Sequence, residues 1–144
     1  MASDTEIREA AIRLLARREH SRKELSYKLK GRGFEAASVA AVLDALEAGR
    51  LLSDERFAES FIRSRSESGH GPVRIHAELR ERGVDVRIIE EQLAGAEVDW
   101  SALAESVRRR RFGERVPAAF KERAKQMRYL QYRGFDGEQI RAAV

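Results

Sequence analysis

The side chains best placed to do chemistry in this sequence are its arginines. They outnumber lysines 23 to 5. A guanidinium is a rigid fork suited to phosphate or carboxylate oxygens. An arginine-favouring codon usage produces the same bias, so position carries more meaning than number. Arg13 and Arg17 are four residues apart and share one helix face. Lys121, Lys125 and Arg128 share another, beside the apolar residues Phe120, Ala124 and Met127. Arg108, Arg109, Arg110 and Arg111 form an unbroken run, which spreads around a helix and cannot point one way. Arg63 and Arg65 precede a turn at Gly69. Together these cations could form an electrostatic footprint on a polyanion. For any one of them, a solvated face with local ion pairs is the plainer reading. Tyr129 and Tyr132 flank the basic helix, where they could stack on bases or simply pack.

Other chemistry is thinly supported. The three histidines, His20, His70 and His76, form no i, i+4 pair and no metal-ligand spacing. Gly69-His70-Gly71-Pro72 lacks the preceding strand and the following Lys-Ser/Thr of a phosphate loop. Glu90 and Glu91 are adjacent on a helix and diverge, so they make no acid–base pair. No cysteine is present, which excludes disulfides and thiolate metal sites. The sequence therefore predicts no enzyme, no cofactor and no bound metal.

The charge balance points towards binding. Net charge is +4 and the pI is about 9.7, a bias that suits a nucleic-acid partner. Residues 10–52 hold nine basic and five acidic side chains, residues 53–95 seven and nine, and residues 96–144 eleven and seven. The ends are basic and the middle is not. No long apolar run suggests a membrane span or a signal peptide, so a cytoplasmic location is expected.

The elements that must carry these residues follow from an internal repeat. Leu-x-x-Arg-Gly followed by an apolar residue occurs as Leu29 to Phe34, Leu79 to Val84 and Leu130 to Phe135. The glycines are 50 and 51 residues apart. Aliphatic residues follow in phase at Val39, Ile89 and Ile140, then at Leu43, Leu93 and Val144. A Schellman cap explains the pattern. Glycine takes the left-handed position after a helix, and the flanking leucine and apolar residue touch across the turn. The cap accounts for leucine and glycine but not for the choice of arginine. Arg32, Arg82 and Arg133 recur one module apart, either serving the helix end or presenting a periodic row of charge.

Three modules are expected, over residues 1–52, 53–95 and 96–144, each of three helices. Ser3 with Glu6 and Ser21 with Glu24 read as capping boxes. Gly33, Gly49 and Gly95 read as helix stops, and Ser53 and Asp85 as N-caps. Pro117 is read as opening a long helix with Phe120, Ala124, Met127 and Leu130 facing inward. No segment alternates like a strand. The expected fold is all-α, three tandem three-helix repeats in an elongated, curved array, because fifty-residue bundles bury too little surface to stand alone.

Four stretches resemble the bacterial RecX regulatory family. They are Ser21-x-x-Glu24-Leu25 with Leu29-x-x-Arg32-Gly33-Phe34; Leu52-x-Asp54-x-x-Phe57-Ala58; Gly71-x-x-Arg74-Ile75-x-x-Glu78-Leu79-x-x-Arg82-Gly83-Val84; and Leu130-x-x-Arg133-Gly134-Phe135. The central stretch is the most specific. The resemblance implies three tandem three-helix repeats. It also implies binding to the RecA recombinase, chiefly as its filament on single-stranded DNA, and restraint of its ATPase, strand-exchange and co-protease activities. Contact with single- and double-stranded DNA is a further implication, and Arg74 joins the candidate contacts. A monomer is expected. The sequence departs from the family in having little chain before Ser3 and an early end to the third repeat. A basic helical DNA-binding protein without a RecA role is the alternative.

Overall fold

The computed structural model describes residues 3–144. Those residues form nine helices and no strand: α1 (Asp4–Arg17), α2 (Arg22–Gly31), α3 (Ala36–Ala48), α4 (Asp54–Glu67), α5 (Pro72–Glu81), α6 (Val86–Gly95), α7 (Trp100–Phe112), α8 (Phe120–Tyr132) and α9 (Gly137–Ala143). Several helices begin where short polar side chains occupy the first orphan amides, though α3 and α8 have no such cap. Ser3 accepts from the Glu6 amide at 3.2 Å. Ser21 and Glu24 cap reciprocally, as do Asp136 and Gln139. Ser53 accepts from the Arg56 amide at 3.1 Å.

The repeated pattern ends helices in the manner its residues dictate. Gly33, Gly83 and Gly134 have φ of 92°, 80° and 97°. The amides of Phe34, Val84 and Phe135 reach back to the carbonyls of Leu29, Leu79 and Leu130 at 3.4, 3.1 and 3.1 Å. The glycine amides reach Lys30, Arg80 and Gln131, each at 3.0 Å. These are the two bonds of a Schellman cap.

Helix α3 stops at Gly49 as expected, though the left-handed residue is the next one, whereas α8 starts later than expected. After α3 the left-handed residue is Arg50, with φ of 60°, and not Gly49. The Leu51 amide bonds to Leu46 and the Arg50 amide to Glu47, so the cap closes one residue later than the glycine suggests. Helix α8 begins at Phe120 and not at Pro117. Phe120 sits at its first position with 86% of its surface exposed, while Gln126 turns inward.

The chain divides into two compact units. The first contains residues up to Ser60 together with Leu79–Gln92; the second contains Phe61–Glu78 and Leu93–Val144. In the first, Ile7, Ala11 and Leu14 of α1 pack with Leu25 and Leu29 of α2, with Val39, Leu43 and Leu46 of α3, and with Leu52. Apart from Leu52, which lies between α3 and α4, each of these positions is on the inward face of its helix at a spacing of three or four residues. In the second, Ala104 and Val107 of α7 pack with Leu130 of α8, Phe135, and Ile140 and Ala143 of α9. Leu103, Met127, Tyr129 and Val144 close the edge of that core.

Candidate interaction surface

The repeated arginines are not equivalent. In the first unit the carbonyl of Arg82 accepts the Ser21 hydroxyl at 2.7 Å. The Arg82 guanidinium lies 3.7 Å from Glu24, and Lys23 Nζ donates to the Glu81 carbonyl at 3.2 Å. The C-terminal cap of α5 thus sits on the N-terminus of α2. In the second unit the Gly71 amide donates to the Arg133 carbonyl and the Val73 amide to the Gly134 carbonyl, both at 2.9 Å. The Arg133 guanidinium donates to the Ser68 and Gly69 carbonyls at 2.6 and 3.2 Å. The cap of α8 thus sits on the N-terminus of α5. Each joint sets a negative helix end against a positive one. Arg32 has the same place on α2 and is exposed.

Glu24 organises the first joint. Its carboxylate receives Arg18 at 3.2 and 3.4 Å and the Ser21 amide at 3.2 Å. Burial pushes its pKa up, but the hydrogen bonds from Arg18 and Ser21 and the Arg18 charge outweigh that, and the net shift is downward. His20, just before the cap, is 1% exposed. Its Nδ1 lies 3.0 Å from the Arg18 carbonyl, to which it donates, leaving Nε2 to accept from Lys28 Nζ at 3.0 Å. Burial, with the Arg18 and Lys28 charges, holds this ring below the ordinary histidine pKa. His70 stands at the same place before α5. Burial and the nearby Arg74 and Arg133 depress it likewise. Both are neutral residues of helix joints.

The run of four arginines separates as its spacing requires. Arg108 is fully buried, and its guanidinium donates to the carbonyls of Gly113 and Arg115 at 3.3 Å and of Glu114 at 3.4 Å. It is spent on the loop after α7, which takes it out of the contact surface expected from sequence. Arg109 is held by Glu105 and lies 3.6 Å from Glu114. Arg110 and Arg111 are exposed and, with Arg133, Tyr129, Val107, Ser68 and Gly69, line a shallow pocket of about 170 Å³. Arg111 lies over the Tyr129 ring at 5.2 Å. Tyr129 meets Phe112 edge-on at 5.4 Å, and Lys125 Nζ stands 5.9 Å from the Phe112 centroid. Cation–π contacts of this kind hold the cations beside aromatic faces.

The remaining candidates scatter. Arg13 and Arg17 are exposed on α1 of the first unit. In the second unit, Arg63 is exposed on α4, and Lys121 and Lys125 are exposed on α8. Arg65 stacks over Phe61 at 4.8 Å and lies 3.7 Å from Glu78. Arg74 shares Glu78 at 3.7 Å and lies 5.8 Å from the Tyr132 ring. Arg65 and Arg74 are thus engaged inside their unit. No group of three or more metal-binding side chains comes together among the described residues. No helix among them is long and apolar enough to cross a membrane.

The architecture has known counterparts. Family models for the first, second and third three-helix domains of RecX match residues 8–46, 53–93 and 97–144. A protein of Halorhodospira halophila named Regulatory protein RecX is 54% identical over 143 residues, covering 99% of this chain and 89% of the relative. The chain belongs to the RecX family. A RecX of Pseudomonas entomophila is 47% identical over 93% of this chain and 86% of its own. The crystal structure of RecX from Lactobacillus salivarius matches with a TM-score of 0.82 at 21% identity, over 97% of this chain and 93% of that one, and shows the shared fold. The names of these RecX relatives support a regulatory role. In this RecX chain the second unit gathers the exposed Arg110 and Arg111 with aromatic rings, whereas the joints engage Arg82 and Arg133.

Proposed function

We propose that this protein binds RecA, chiefly as its filament on single-stranded DNA, and restrains its ATPase, strand-exchange and co-protease activities. In that role it would modulate recombination, DNA repair and the SOS response. Membership of the RecX family is the observation that carries this reading. The cluster of Arg110, Arg111, Lys125 and Tyr129 supports it. These cations and a ring suit phosphates and bases, or an acidic filament surface. Inhibition needs no catalytic group. It needs preferential affinity for one filament state. Many modest contacts to successive subunits would add by multivalency.

The test is RecA ATPase on single-stranded DNA with this protein added in increasing amounts. A fall in turnover is expected. Unchanged turnover, with protein shown to be bound, sinks the proposal. The same cluster favours a second reading, a DNA-binding protein with no RecA role. That reading expects tight binding to naked duplex, with affinity falling steeply with salt, and no effect of RecA.

A further inference from the structure

Within the second unit, a groove runs beside the joint between α5 and α8 and shares no residue with the Tyr129 pocket. Its apolar lining is Val73, Met127, Phe135 and Ile140, and Arg128 and Arg141 stand at its rim. Phe135 and Ile140 are 2% and 6% exposed, whereas Val73 is 55% exposed. The groove holds about 430 Å³, a volume in the range of ligand pockets, about 300–1,000 Å³. The joint itself fixes Val73 there, since the Val73 amide donates to the Gly134 carbonyl at 2.9 Å.

The joint does not require these side chains. The first joint has Lys23 at the position of Val73. The second repeat has His76, Ala77 and Glu90 at the positions of Met127, Arg128 and Arg141. The third repeat instead sets two guanidinium groups beside apolar surface. Both are exposed, and among the described residues neither forms an ion pair. Arg141 folds back over Gly137, where an added Cβ would come 3.0 Å from its Nη1. Asp136, the acidic residue of the groove, is committed to the α9 cap, where it accepts the Gln139 amide at 2.8 Å.

We propose that this groove docks an acidic peptide segment of a partner protein. One large apolar side chain of the segment seats over Phe135 and Ile140, and flanking carboxylates meet Arg128 and Arg141. Charge complementarity names the occupant. A guanidinium fork takes a carboxylate through two parallel hydrogen bonds, and the apolar lining gains from covering a side chain. A nucleic acid fits less well, because Phe135 is buried and offers no open ring face for a base to stack on. The groove is separate from the Arg110 and Arg111 cluster, so the assignment holds whether or not RecA is the protein's target.

Fluorescence anisotropy with short fluorescein-labelled peptides and the full chain tests the proposal. The probe carries a Phe-Leu pair flanked by aspartates. One control replaces the pair by two serines, and the other replaces the aspartates by asparagines. The probe should bind at least about tenfold more tightly than either control. Arg128→Glu with Arg141→Glu should weaken it about tenfold or more, whereas Arg110→Glu with Arg111→Glu should leave it within about twofold. Circular dichroism confirms that the variants keep their helices. The methyl NMR signal of Met127, one of two methionines in the chain, should shift as the probe is added and stay in place with a short oligothymidylate. Absence of binding, equal binding of the three peptides, or full affinity in the Arg128 and Arg141 double variant overturns the proposal. A Met127 shift with oligothymidylate and none with the probe also overturns it, and assigns the groove to nucleic acid.

Discussion

Gly71 donates its amide to the Arg133 carbonyl at 2.9 Å, and a methyl group on Gly71 would overlap the carbonyl of the adjacent Gly134. The contact is backbone against backbone, 63 residues apart in the chain, and a side chain on either glycine would part it. Gly71→Ala should therefore destabilise the fold by about 3 kcal/mol, the upper range for overpacking. Gly31→Ala is the control. It lies at the end of α2 with nothing within 4 Å of an added Cβ, so it should stabilise by about 0.5 kcal/mol through helix propensity. Urea unfolding midpoints of the two variants check the contrast. A Gly71→Ala midpoint equal to wild type would show the contact to be dispensable.

Within the arginine run, stability and binding should separate. Arg108→Ala removes a buried guanidinium, opens a cavity and leaves three loop carbonyls without their donor. It should cost about 2–4 kcal/mol. Arg110→Ala, on an exposed position, should stay within about 0.5 kcal/mol. Thermal unfolding of each variant decides whether the four arginines act as one basic patch or as two kinds of residue.

The exposed pair should behave in the opposite way. Arg110→Glu with Arg111→Glu should leave helicity unchanged and weaken binding to a RecA–single-stranded DNA filament by about tenfold or more. If the pair meets phosphates, the slope of log affinity against log salt should shrink by about 1–2. Fluorescence anisotropy across a salt series reads both. Wild-type affinity in this variant would take the Tyr129 pocket out of the interface.

Arg50 is the non-glycine residue with positive φ among the described residues, at 60°. A left-handed arginine costs roughly 1–2 kcal/mol relative to a residue without Cβ strain. The unfolded-chain entropy of glycine offsets part of that. Arg50→Gly should stabilise by about 0.5–1 kcal/mol, seen as a higher melting temperature. A lower one would mean that the side chain contributes more than its backbone strain removes.

His20 should make stability fall with acid. Its folded pKa lies below the unfolded value of 6.5, so the unfolded chain takes up the proton first. The stabilisation is complete above pH 6.5 and is lost as pH falls through the folded pKa. His70 is shifted in the same direction and adds to the slope. His20→Gln should flatten the decline in stability between neutral and mildly acidic pH, measured by urea unfolding at several pH values. An unaltered slope would assign the effect elsewhere.

Much of the architecture was legible in the chain. A helix stop is a local event: Leu29, Gly33 and Phe34 contain everything a Schellman cap needs within six residues. Ser21 with Glu24 and Asp136 with Gln139 likewise close on themselves. The inward stripes of α1 and α3 follow from the spacing of their aliphatic residues. Four stretches, the one from Leu52 to Val84 above all, carry the resemblance to the family. Where local rules compete, residue type alone does not fix the helix start. Pro117 looked like a helix start, but α8 begins three residues later with its aromatic side chain in solvent.

What the tertiary structure alone decided is the use of each arginine. Arg32, Arg82 and Arg133 are indistinguishable by pattern, yet one is exposed, one lies 3.7 Å from Glu24, and one donates to the Ser68 and Gly69 carbonyls. Arg108 is buried while Arg110 and Arg111, in the same run, are exposed. The physical reason is range. Capping and helical periodicity act within a turn or two, so sequence spacing encodes them. The partner of a guanidinium is set by which distant backbone carbonyl or carboxylate the packed helices bring within reach. For Arg82 and Arg133 that partner lies about sixty residues away, and no spacing rule spans that distance.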